Sequence, residues 1–251
     1  MHGLGNDFVI VAEDELPSEV DVSVFVKLVT DRRQGVGCDP FITYKYDGKT
    51  NIQMGIYNQD GSRALACGNA SRCLSHLTYD LTAAQKITLH IFSRKVQCEY
   101  ISEDAIKVDM GPVEFDKSWM PDSAELWSLA EHHLIKPKEM LCVDVANPHL
   151  VIFSKLSYHA QQIIGQNFQN IDLFKDGINV SFASIMDDKI HLKVWERGVG
   201  FTYACGSGVV ATFAAANKLG FAGDRAEIIF ALGLLKMQKN DHHISINRPA
   251  K

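Results

Sequence analysis

Charge of one sign is what this 251-residue chain lacks first: 25 Lys+Arg stand against 30 Asp+Glu, giving −5, and no basic run is long enough to track a phosphate backbone. That argues against nucleic-acid binding and leaves a small molecule as the expected partner. The CxxC pair is also missing. Six cysteines are present, and the closest two, Cys67 and Cys73, have five residues between them, a spacing of neither a zinc knuckle nor a redox pair. No metal is therefore expected, while thiol chemistry stays open. The N-terminus has no basic segment leading into an apolar one, so no secretory signal is read, and the cysteines are expected to be reduced thiols in a cytoplasmic protein. A clean membrane span is absent too: the longest uncharged stretch, residues 198–217, carries Gly198, Gly200, Gly206 and Gly208 with Thr202, Ser207 and Thr212. It reads as a glycine turn feeding a helix buried in protein.

What is there is ordinary globular composition, 46% hydrophobic and 22% charged, so burying a core presents no difficulty. The length suggests two domains. Short strands are expected at residues 8–12, 40–46, 51–57, 86–93, 95–101 and 105–110, with Gly111-Pro112 closing the run, so the domains are placed at 1–112 and 113–251. Beyond a connector with one short helix at 123–132, strands are expected at 140–145, 150–153, 179–185 and 189–196. Helices are expected at 158–165 and 206–219, and strands again from 226 to 246.

An internal echo organises the chain. Asn51-Ile-Gln-Met-Gly-Ile-Tyr-Asn-Gln-Asp-Gly61 is an alternating strand running into a polar turn, followed by Ala66-Cys67-Gly68-Asn69 and an apolar helix. Lys189-Ile-His-Leu-Lys-Val-Trp-Glu-Arg-Gly198 repeats that pattern, followed by Ala204-Cys205-Gly206-Ser207 and a second apolar helix. Duplication of one domain accounts for both. Each cysteine then sits at a helix start, with Asn69 and Ser207 as N-cap types, where partial positive charge lowers a thiol pKa and backbone N–H groups bind anions. Two readings are open: Cys67 and Cys205 are reactive groups, or they are small buried hydrophobes that happen to begin helices. If they face each other across a ligand, a thiolate on one side removes a proton from carbon and a thiol on the other delivers one, inverting a stereocentre.

Other polar groups admit two readings as well. Glu196-Arg197 is either an ion pair at a strand end or a receptor in which Arg197 clamps a carboxylate and Glu196 takes an ammonium. Asn147-Pro148-His149 is either an Asx turn or an amide facing ligand, and the segment from His2 to Phe8 is either a turn or a pocket wall. His132-His133 and His242-His243 read as solvated surface.

His2-Gly-Leu-Gly-Asn-Asp-Phe8, Asn58-Gln-Asp-Gly-Ser62, Cys67-Gly-Asn69 with Arg72-Cys73, Asn147-Pro-His149 and Glu196-Arg-Gly198 with Ala204-Cys-Gly-Ser-Gly208 together resemble the ordered signatures of the diaminopimelate epimerase family. The resemblance implies an α/β (α+β) fold of two pseudo-symmetric domains, each a curved sheet wrapped around a central helix, with the active site in the interdomain cleft. It implies a cofactor-independent isomerase that interconverts LL- and meso-diaminopimelate in lysine and peptidoglycan precursor synthesis, and a homodimer. By the same resemblance Cys67 and Cys205 are the acid/base pair. Asn6, Asn58, Asn147, Asn179, Glu196 and Arg197 contact substrate, Gly68, Asn69, Gly206 and Ser207 supply helix-start N–H groups to the α-carboxylate, and His149 lies near the pair.

The chain departs from the family pattern at Pro40, where Gln is usual, and at Ala70, where Gly is usual; its short flanking strands are expected to be missing. Three alternatives follow. One is another cofactor-independent racemase or isomerase of the same superfamily, one a non-catalytic amino-acid-binding relative, and one a thiol redox protein.

Overall fold

The computed structural model describes every residue except 4–5, 18–20, 65–67, 93, 104, 134, 170, 203–204, 232, 241–242 and 249–251. It divides into two compact units, Met1–Met110 with Ile246–Lys251, and Gly111–Ser245.

The first unit opens with a short hairpin, β1 (His2–Gly3) paired to β2 (Asn6–Asp7), and continues into β3 (Val9–Ala12). Helix α1 (Val22–Thr30) follows, an element that the periodicity of the segment does not predict. Five of its nine residues are β-branched, which disfavours helix. Two features override that propensity: the Asp21 carboxylate caps the Ser23 N–H, and Val26, with Val22, Phe25 and Val29 beside it, packs against Phe41 and Tyr57. The unit then runs through β4 (Phe41–Tyr46), β5 (Asn51–Tyr57), α2 (Gly68–Thr82), β6 (Lys86–Ile91), β7 (Arg94–Ser102) and β8 (Ala105–Pro112), and its strands pair in the order β3-β4-β5-β6-β7-β8. Pairing is parallel for β3/β4 and β5/β6 and antiparallel for the rest. Every residue from Gly68 to Ser75 is buried, so the first two turns of α2 are enclosed on all faces.

In the second unit α3 (Ser123–His132) is held by a capping box between Asp122 and Glu125. Strands β9 (Met140–Asp144) and β10 (Pro148–Phe153), helix α4 (Tyr158–Phe168), strands β11 (Asn179–Met186), β12 (Lys189–Glu196) and β13 (Gly200–Thr202), helix α5 (Gly206–Lys218), and strands β14 (Arg225–Phe230) and β15 (Gly233–Asn240) follow, and then β16 (His243–Arg248), whose residues from Ile246 on belong to the first unit. The sheet order is β9-β10-β11-β12-β14-β15, with β13 folded back on β12. Residues Gly208 to Ala216 of α5 are all buried. Gly208 lets that helix approach the sheet: a Cβ there would lie 2.8 Å from Val194 Cγ2 on β12. A second apolar layer, built from Leu126, Ile152, Ile164, Phe168, Phe182 and neighbours, packs α3 and α4 on the other side of the sheet.

The two units repeat one plan. Strand, helix, strand, strand, buried helix, strand, strand describes β3-α1-β4-β5-α2-β6-β7 and equally β10-α4-β11-β12-α5-β14-β15, with parallel and antiparallel pairings in the same places. The fold is the expected α/β class with a buried helix in each sheet. Of the histidines read as surface, His133 instead sets its ring edge-on against Phe168, with centroids 4.8 Å apart, and His242 lies outside the described residues.

Candidate active site

In the second unit the site is built where β12 ends and α5 begins. Cys205 is buried and caps the helix itself: Gly208 N–H donates to its Sγ at 3.4 Å. This corrects the expectation that Ser207 and Asn69 are the caps, because both lie inside the first turns of their helices. Ser207 instead turns its hydroxyl sideways, with Oγ 3.4 Å from Cys205 Sγ and 2.9 Å from His149 Nε2. Glu196, at the end of β12, shares a hydrogen bond with the Cys205 thiol and accepts another from Thr202 Oγ1 at 2.5 Å. An ionised carboxylate only accepts, so the thiol donates to Glu196, and the Ser207 hydroxyl is then free to donate to sulfur while accepting from His149 Nε2–H. His149, Ser207, Cys205 and Glu196 thus form one directional chain.

The electrostatics of that chain overturn a second expectation. A helix start lowers a thiol pKa, yet the Cys205 thiol is pushed well above its ordinary value. Burial is the largest cause and the Glu196 charge adds to it, while the bonds from Ser207 and Gly208 pull the other way. In this state Cys205 is a proton carrier. Burial likewise raises the Glu196 pKa, against the bonds from Thr202 and Cys205. His149 is driven down to about 3 by burial, with Arg197 nearby as a second cause, so its ring is neutral; its Nδ1 is buried with no hydrogen-bond partner among the described residues. Cys98 and Cys142 are also buried thiols with raised pKa, but among the described residues neither has a hydrogen-bonded carboxylate and hydroxyl beside it.

Asn179 binds backbone at both ends, donating to Pro148 O at 2.9 Å and accepting from Arg197 N–H at 3.0 Å. It ties β10, β11 and the β12 turn together, and so fixes where His149 and Arg197 stand. Asn147 sits in a turn whose Asx bond comes from Asp144, which accepts from Ala146 N–H at 2.8 Å; the Asn147 side chain makes no bond among the described residues. The Arg197 guanidinium lies against the carbonyls of Asp176 and Gly177 and borders a cavity of about 650 Å³. A second cavity, of about 590 Å³, meets the group only at Thr202.

In the first unit Cys67 lies outside the described residues. Beside it, Gly68 and Asn69 begin α2, and Asn69 joins a polarised chain: Arg72 Nη2 donates to Asn69 Oδ1 at 2.6 Å, Asn69 Nδ2 to Asn6 Oδ1 at 3.2 Å, and Asn6 Nδ2 to Asp39 Oδ2 at 2.9 Å. A donor-only guanidinium at one end and an acceptor-only carboxylate at the other fix the orientation of both amides. Asp39 and Asp7 are in turn held by Arg32 at 2.9 and 2.7 Å. Asn58 folds its amide onto Ser62 Oγ at 2.9 Å inside its own turn.

Sequence reasoning missed Thr202 and Asp39. The Gly198 and Gly200 hairpin, which returns Thr202 to Glu196, was the available signal for the first; nothing local marks the second. Among the described residues no group of three or more His, Cys, Asp and Glu side chains is placed to hold a metal, and no helix is long and apolar enough to cross a membrane.

Comparison with known proteins agrees over the whole chain. The family model described as diaminopimelate epimerase matches residues 1–115 and 141–247. A diaminopimelate epimerase of Rickettsia akari is 48% identical over 251 residues, covering 100% of this chain and 93% of that one, and one of Rickettsia bellii is 47% identical over 250 residues with the same coverage. Among solved structures, a predicted epimerase from Pseudomonas aeruginosa superposes with a TM-score of 0.70 at 16% identity, covering 98% of this chain and 90% of that one. A hydroxyproline epimerase from Agrobacterium vitis gives 0.62 at 12%, covering 95% and 85%. At such identities these two likenesses speak for the fold.

Proposed function

The chain belongs to the diaminopimelate epimerase family, and on that premise we propose that it interconverts LL- and meso-diaminopimelate by proton transfer at the α-carbon, using Cys205 and Cys67 as the pair of proton carriers. The observation that carries the reading is the buried Cys205 thiol at the start of α5, hydrogen-bonded to Glu196 and flanked by Ser207.

Before substrate binds, Cys205 keeps its proton, and the S–H points to the Glu196 carboxylate as a hydrogen bond. A substrate α-ammonium arriving at Glu196 takes over that carboxylate and neutralises its charge, removing two of the causes that raise the Cys205 pKa. The thiol then releases its proton to carbon more easily, and the thiolate left behind accepts from Ser207 Oγ–H and Gly208 N–H. In the same turnover Cys67, as thiolate, takes the α-proton from the opposite face, so one C–H bond breaks as the other forms and the two sulfurs exchange protonation states. Charge developing in the α-carboxylate is met by the N–H groups of Gly68, Asn69, Gly206 and Ser207 at the helix starts. Asn6, Asn147 and Arg197 hold the remainder of the substrate, Arg197 by a bidentate grip on the carboxylate remote from the reacting carbon. Asn58 and Asn179 shape the backbone around it. A place in lysine synthesis, a cytoplasmic location and a homodimer complete the proposal on the strength of the family resemblance.

Reduced protein incubated with LL-diaminopimelate in deuterated water tests it. Loss of the α-proton signal with appearance of the meso isomer is expected, and both disappear in Cys205→Ala and in Cys67→Ala. Turnover retained by either folded variant excludes the two-thiol mechanism. Exchange confined to a substrate with one carboxylate would favour the other racemases of this fold, for which Arg197 has no role.

A further inference from the structure

Arg197 is the exposed cation of the site, and an exposed arginine on a turn ordinarily samples many rotamers. This one does not stand alone. The segment between α4 and β11 makes two consecutive turns, Phe174 N–H to Ile171 O at 3.0 Å and Gly177 N–H to Phe174 O at 2.8 Å, and buried Phe174 pins it to the core. Those turns aim the carbonyls of Asp176 and Gly177 at one nitrogen of the guanidinium, Nη1. The stem of Arg197 crosses Gly177 so closely that a Cβ at Gly177 would lie 2.8 Å from Arg197 Cδ, and φ at Gly177 is +69°, in the left-handed region. From the other side Gln169, the C-cap residue of α4, accepts with Oε1 from the Trp195 indole N–H at 3.1 Å and from Gly198 N–H at 3.3 Å. Trp195 Nε1 only donates, so the Gln169 amide has one orientation, and the turn that carries Arg197 is clamped on both flanks.

We propose that Gln169 and Gly177 are positioning residues which hold the Arg197 guanidinium with Nη1 turned to the protein and its Nε–Nη2 edge offered to ligand, and so make the site read a second carboxylate. Neither Nε nor Nη2 has a hydrogen-bond partner among the described residues, and the two N–H groups on that edge are parallel, the arrangement that matches the two oxygens of a carboxylate. Anchoring in advance removes the ordering cost that a mobile arginine would meet on binding. The inference rests on the reading that Arg197 takes the carboxylate remote from the exchanging carbon.

Steady-state kinetics on diaminopimelate with Gly177→Ala, Gln169→Met, Arg197→Met and the two double variants separates the possibilities, with thermal midpoints as a control on folding. Each positioning variant is expected to raise KM about tenfold while kcat stays within about twofold, and to have no further effect in the Arg197→Met background. Gln169→Met carries no backbone strain, so it reads the proposal even where Gly177→Ala unfolds. Singles without effect on KM, or effects equal in both backgrounds, overturn the positioning role. An Arg197→Met enzyme with unchanged KM overturns the carboxylate assignment, and wild-type protein with no turnover overturns the functional reading beneath both.

Discussion

Cys205 shows why residue type alone does not set reactivity. A thiol at a helix start is expected to ionise readily, but burial and a neighbouring carboxylate outweigh the two hydrogen bonds that favour the thiolate. The competition can be tilted with one atom. Glu196→Gln keeps the shape and removes the negative charge, so Cys205 should ionise at lower pH, and its alkylation by iodoacetamide at pH 8, read by peptide mass spectrometry, should accelerate by about tenfold. Equal rates in the two proteins would mean that burial alone holds the proton. The same variant should lose epimerase turnover, because the ammonium partner is gone.

At the scale of elements, the site is a consequence of how tightly α5 meets β12. Cys205 can cap α5 and still touch Glu196 on β12 because the helix backbone is drawn onto the strand at Gly208, against Val194. Gly208→Ala therefore sets two effects against each other: a gain of about 0.5–1 kcal/mol in helix propensity, and an overpacking cost of about 1–3 kcal/mol from a methyl 2.8 Å from Val194 Cγ2. Overpacking is expected to win, lowering stability in urea unfolding, and a neutral or stabilised variant would show that the helix can back away. Helix α1 makes the opposite point about sequence and element. Its β-branched residues suggest a strand, and only the Asp21 cap and the apolar surface of Phe41 and Tyr57 make it a helix.

For the whole molecule, His149 couples site architecture to stability. The residue is fully buried, its backbone pairs in register with Val143 on β9 and Asn179 on β11, and its ring bonds Ser207 on α5. Unfolding releases it to an ordinary pKa near 6.5, whereas the folded value is about 3. The unfolded chain therefore binds a proton throughout that window and the native one does not, so the neutral ring stabilises the fold above pH 6.5 and the contribution is lost as pH falls toward 3. The expected slope is about 1.4 kcal/mol per pH unit for this one proton. Stability curves of wild type and His149→Gln measured across the window should differ by that slope, and parallel curves would place the protonated ring in water.

The sequence by itself determined most of the element order, with α1, β13 and the β1/β2 hairpin as exceptions, the duplication of one domain, and the signatures that mark the family, because local periodicity, glycine turns and residue identity are properties of short segments. It marked Cys205, Glu196, Arg197, His149 and the asparagines as the residues to watch. Only the tertiary structure decided what each of them does with its hydrogen bonds. Asn69 meets Asn6 across 63 positions and His149 meets Ser207 across 58, separations at which no local pattern carries information. Asn179 turned out to be bound to backbone at both ends, and the Cys205 thiol to be protonated, because orientation and burial arise when distant strands and helices close around a group, and neither is written in the residues beside it.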